Sequence, residues 1–183
     1  MKIISNGIYN GVSLSSPFSA KKIDNYEKEL KEHVDIAVLN HSFANGFDFP
    51  IEDCIKLSSR GTTPFVKLDP LSNPNKANLS FNLNKINYGE YDLGIKRFAS
   101  DAKKYGKPIF ISFCKAINNN CACGNSADKY IKAFRHIVDI FRMEGADNVT
   151  WVWEINVTPA NYREYYPGDS YVDWIAIDGI SSD

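Results

Sequence analysis

Pro108-Ile109-Phe110-Ile111-Ser112-Phe113 is apolar at every position but one. It follows a helix stop at Gly106 and precedes a second helical pattern that runs from a Ser126 cap to Gly145. A strand without polar alternation is buried on both faces, and that describes a parallel sheet covered by helices. The helix after it carries one unbroken stripe, Tyr130, Ile131, Phe134, Ile137, Val138 and Phe141, at spacings of three and four. Val149 to Trp153 is then the next strand, so this part of the chain reads strand–helix–strand.

The same alternation extends outward. Ile8 to Leu14 reads as a first strand. Ser19 reads as the cap of a helix whose face is Ile23, Tyr26 and Leu30. Asp35 to Leu39 is a second strand, and Pro50 opens a helix through Ile51, Cys54, Ile55 and Leu57 to a stop at Gly61. Thr63 to Leu68 is a third strand. The Asn-rich stretch Leu71 to Tyr88 reads as a long loop, and Gly89 to Tyr105 as a helix. Val172 to Ile177 is a sixth strand. Units of roughly 30 residues are the βαβ signature. The expected class is α/β, a (β/α)8 barrel of the TIM type with only about six β/α units present. Such barrels need about 250 residues. Residues 1–183 are therefore expected to be one barrel domain, incomplete at the C-terminus. The competing open doubly wound sheet is weak, because Asn10-Gly11-Val12-Ser13 after the first strand does not match a dinucleotide fingerprint.

A net charge of −1 without charge blocks gives no footprint for nucleic acid or an anionic membrane surface. The apolar runs are too short to span a bilayer, and Met1 to Gly7 is too short for the apolar region of a signal peptide. Cys114, Cys121 and Cys123 crowd one stretch, with Cys54 apart. Cys-x-Cys is not the usual zinc pair spacing, and His136 lies on an apolar helix; a local disulfide or free thiols fit better than a metal. No metal and no cofactor are expected. Sequons stand at Asn40, Asn78, Asn148 and Asn156, and such triplets often arise by chance.

Tyr165-Tyr166-Pro167-Gly168-Asp169-Ser170-Tyr171-Val172-Asp173-Trp174-Ile175-Ala176-Ile177-Asp178-Gly179 resembles the sixth-strand region of glycoside hydrolase family 26. Tyr130 to Arg142 resembles that family's fourth helix, Gly106 to Phe113 its fourth strand, and Trp151-Val152-Trp153-Glu154-Ile155-Asn156 its fifth. The resemblance implies a retaining endo-β-glycosidase barrel acting on mannan- or glucan-type polysaccharide, and an extracellular location. Retaining chemistry needs two carboxyl groups about 5 Å apart, one to protonate the leaving oxygen and one to attack the sugar.

By the same resemblance the acid belongs in a Phe-Gly-His-Glu-Met-Asn-Gly segment, where this chain has Phe113-Cys114-Lys115-Ala116-Ile117-Asn118-Asn119. Ala116 stands at the acid position and Lys115 at the preceding His. The nucleophile belongs on a seventh strand that this sequence does not reach. Losing a general acid alone costs about 10²–10⁴-fold. The expected function is thus a hydrolase-like barrel that acts on or binds β-linked polysaccharide with impaired catalysis. The alternatives are a non-catalytic binding pseudoenzyme and a structural remnant.

Glu154, ending strand five, and Asp178, ending strand six, are the candidate surrogate catalytic carboxylates; structural carboxylates at strand ends are the competing reading. Asn118, Trp153, Asn156, His41 and Lys115 are the candidate substrate contacts. Trp151 and Trp153 share one face, and core packing is expected for at least one of them; Trp153 is the better sugar platform. His41 follows strand two at the barrel mouth. Trp174 is expected in the core, and Tyr165 and Tyr166 as a clamp. Partners are oligo- or polysaccharide, with neither nucleic acid nor membrane, and self-association through open sheet edges is expected.

Overall fold

Period-two alternation and helical stripes resolve into two layers. A computed structural model describes residues 8–13, 19–43, 46–69, 83–114, 126–158 and 160–178. The elements run β1 (Gly11–Ser13), α1 (Ala20–Leu30), β2 (Ile36–Ser42), α2 (Ile51–Ser59), β3 (Thr63–Asp69), α3 (Leu83–Asn87), α4 (Asp92–Tyr105), β4 (Ile109–Phe113), α5 (Ala127–Met143), β5 (Val149–Asn156) and β6 (Trp174–Asp178). All six strands pair in parallel in the order β1-β2-β3-β4-β5-β6. This sequential parallel order is that of a (β/α) barrel, as the sequence predicts.

Each strand turns one set of side chains to the helices and the other to the barrel interior. On β3, Pro64, Val66 and Leu68 are buried under the helices, while Phe65, Lys67 and Asp69 face inward. On β5, Trp151 meets Phe134 and Phe141 of α5 at ring distances of 5.8 and 5.0 Å, so Trp151, Trp153 and Ile155 are the outward set. The α5 stripe is buried as Tyr130, Ala133, Phe134, Ile137, Val138, Ile140 and Phe141. Burying each large apolar side chain contributes about 1.5–3 kcal/mol, so this seam anchors the second half of the sheet.

One element departs from the sequence reading. Within the expected loop Leu71 to Tyr88, Leu83–Asn87 forms α3, whose Leu83 and Ile86 are buried. Two apolar residues three apart are too few for a periodic signal; packing on α5 makes the turn stable. The residues before it lie outside the described set. Strand boundaries also shift: β5 runs on to Asn156, and β6 begins at Trp174.

The chain entering β6 is held by α5. Arg135 Nε donates to the Pro167 carbonyl at 2.7 Å, and Arg142 donates to the Ser170 carbonyl. Both guanidinium groups lie 5.1 Å from the Tyr171 ring centroid, two cation–π contacts on one ring. Asp173 then pairs with Trp151, its carboxylate accepting from the Trp151 N–H at 2.9 Å. Tyr165 is buried against Tyr130, and Tyr166 stacks obliquely on Trp153 at 4.9 Å. The Tyr-Tyr-Pro-Gly-Asp run is thus a strap that fixes where β6 starts. The Asn148 sequon is closed, because its buried amide donates to the Ala102 and Lys107 carbonyls at 3.0 and 2.8 Å.

Candidate functional site

In a parallel barrel the strand C-termini form the face where ligands bind. The inward side chains of β3 to β6 stack in layers below that face. Register places Phe65 beside Phe110, and the Phe110 ring meets Phe65 and Trp174 at 5.9 and 5.1 Å. On the neighbouring strands Val152 pairs in register with Ser112 on one side and Trp174 on the other. The three rings form an apolar floor. It keeps Trp174 in the interior, at the end of β6 away from the mouth.

One step along the strands the lining becomes polar. Lys67 pairs in register with Ser112, and Glu154 lies beyond Ser112 on β5. Lys67 Nζ donates to Glu154 Oε1 at 3.0 Å, and Ser112 Oγ lies 3.5 Å from Glu154 Oε2, a long donor contact. The Glu154 side chain is 4% exposed and that of Lys67 21%. Lys67 Nζ also sits 5.4 Å from the Phe65 ring centroid. Behind the sheet, the Tyr130 hydroxyl donates to the Phe113 carbonyl at 3.3 Å. Burial, and secondly the nearby Glu154 charge, push the Tyr130 phenol far above its ordinary pKa.

The rim above carries Asp69, Cys114, Asn156 and Asp178. Asn156 pairs in register with Asp178, and its Oδ1 accepts from the Thr158 N–H at 3.0 Å. Asp178 is exposed. Cys114 is buried, takes φ 60° and is disulfide-bonded, its partner lying outside the described residues, whereas Cys54 is free. Burial pushes the Cys54 thiol above its ordinary pKa. Among the described residues no cluster of His, Cys, Asp and Glu is arranged for a metal ion. His136 instead pairs with Asp92 at 2.7 Å.

The predicted site residues therefore separate. Glu154, Asn156 and Asp178 share the inner face. Trp153 does not: it is 4% exposed, packed outward on Tyr166, and its buried Nε1 has no hydrogen-bond partner among the described residues. The alternation that aims Glu154 inward necessarily turns Trp153 to the helices. His41 is corrected for the same reason. It stands near the C-terminal end of β2, but its ring packs on Phe98 of α4 at 5.4 Å, outside the barrel. Lys115, Ala116 and Asn118 lie outside the described residues.

Lys67 and Ser112 were not singled out in the sequence. Their signal is there, however: a lysine in phase with Phe65 inside a buried strand, and the one hydroxyl of Pro108 to Phe113. An interior lysine requires a counter-charge, and Glu154 supplies it.

Residues 120–183 match the family model "Glycosyl hydrolase family 26". Endoglucanase H of Acetivibrio thermocellus is 42% identical over 113 aligned positions, which take in 55% of this chain and 13% of that protein. Among solved structures, the Bacillus subtilis mannanase BCman superposes with a TM-score of 0.71 at 16% identity, covering 94% of this chain and 62% of that one. A β-mannanase from a symbiotic protist of the termite Reticulitermes speratus, solved with a gluco-manno-oligosaccharide, gives 0.72 at 15% identity and 96% and 66% coverage. The chain thus spans about two thirds of these barrels and a small part of the endoglucanase.

Proposed function

From the premise that this chain resembles glycoside hydrolase family 26, in sequence over its C-terminal third and in fold along its length, we propose that it is a barrel domain recognising β-linked polysaccharide of the mannan or glucan type, with impaired hydrolysis as it stands. The observation that carries this reading is the engagement of Glu154. Its two oxygens face the Lys67 ammonium and the Ser112 hydroxyl, so it accepts hydrogen bonds where a catalytic acid must give a proton away. Ala116, at the position that the resemblance assigns to the acid, has no proton to give. Asp178 and Asn156 on the rim are suited to hydrogen-bonding sugar hydroxyls.

A single extracellular domain fits this role, and no helix among the described residues is long and apolar enough to cross a membrane. The test incubates the chain with mannan and with mixed-linkage glucan. Binding measured by affinity electrophoresis, with reducing ends forming at least about 10²-fold more slowly than an active family member produces, is the expected result. Turnover at the rate of an active enzyme overturns the impairment, and retention by neither polysaccharide overturns the reading entirely.

A further inference from the structure

We infer that Lys67, Glu154 and Ser112 form a hydroxyl-binding subsite for one neutral sugar ring, a reading that rests on the polysaccharide recognition proposed above. The three residues lie on adjacent strands and on one face, one layer below the rim. Two residues of strand separate successive inward layers, so the trio lies about 6.6 Å below the rim. On the side away from the mouth, the Phe110 ring packs against Phe65 and Trp174.

The chemistry is matched to vicinal hydroxyls. An ammonium carries three donors, and among the described residues Glu154 is the one acceptor that Lys67 meets. Its side chain is 21% exposed, whereas that of Glu154 is 4% exposed, so the lysine is the more accessible member of the pair. Glu154 has further lone pairs to accept from a hydroxyl. One sugar hydroxyl accepts from Lys67 while its neighbour donates to Glu154, and both bonds are charge-assisted. The pair is neutral in sum, which favours an uncharged sugar over a uronate. Packing alone does not account for the pair, because a buried ion pair is no more stabilising than apolar residues of the same volume.

The experiment titrates the chain with β-1,4-mannotetraose and with cellotetraose by calorimetry, and in parallel follows the lysine 13Cε and 15Nζ signals by NMR. The Lys67 signal of the unaltered chain is expected to move on saturation. Glu154→Gln and the charge-free double variant Lys67→Met/Glu154→Leu are expected to lose about tenfold or more in affinity. If the unaltered chain binds while the folded double variant binds within about twofold, the subsite is overturned and polysaccharide recognition stands. A Lys67 signal that stays fixed at saturation overturns the subsite in the same way, without relying on any variant. If the unaltered chain binds neither sugar, both readings fall together.

Discussion

Burial against Phe98 holds the His41 imidazole below its ordinary pKa of 6.5; the Gly46 backbone and the Asp48 charge oppose that shift without cancelling it. The folded protein therefore resists protonation where the unfolded chain accepts it. The sign follows: stability is full above pH 6.5 and declines as pH falls below it. Urea melts at pH 7.5 and pH 5.5 are expected to show a fall in midpoint that His41→Leu reduces; an equal fall in both proteins counts against burial as the cause. His41 also shows what a single residue reveals in sequence. A histidine after a strand reads as a mouth residue, and only the phase of β2 sends it to the helices instead. Glu154 and Trp153, one residue apart, divide between the faces by the same rule, so placing either one places both. The partner of Glu154 was not legible this way, because Lys67 lies 87 positions away and becomes its neighbour only through strand order.

Among the elements, the long amphipathic helices were legible because a stripe such as Tyr130 to Phe141 repeats over several turns, whereas α3 offers one turn and takes its stability from α5. The helix α4 carries a tension between propensity and packing. Gly94 lies inside it, where alanine is favoured by about 1 kcal/mol. A Cβ at Gly94, however, lands 2.3 Å from a Phe47 ring carbon. Phe47 is lodged between Phe43 and Tyr91, with ring distances of 4.8 and 5.9 Å, and has to leave that cluster to make room. Overpacking of this kind costs about 1–3 kcal/mol, enough to reverse the propensity gain. Gly94→Ala is thus expected to lower the urea midpoint. A rise shows instead that Phe47 swings aside freely, and that the cluster beside the mouth is soft.

Across the molecule, sheet order leaves two strands with one neighbour each. Among the described residues β1 pairs only with β2 and β6 only with β5, so the sheet curves without closing. An unpaired strand presents free N–H and C=O groups to any extended segment that meets it. On β6 this edge coincides with an apolar face, since Ile175 is 55% exposed and Ile177 65% exposed on the helix side. Backbone template and apolar surface together favour edge-to-edge pairing of two copies, and no proline interrupts Trp174–Asp178. The chain by itself is expected to scatter light as dimers or larger species, above its 20.6 kDa monomer mass. Ile175→Lys with Ile177→Lys places charge on that face while sparing the inward Trp174, Ala176 and Asp178. The double variant is expected to shift the population toward monomer at equal concentration. Association that persists unchanged in it assigns the contact to β1 instead, and a monodisperse monomer of the unaltered chain shows that the open edges are not adhesive.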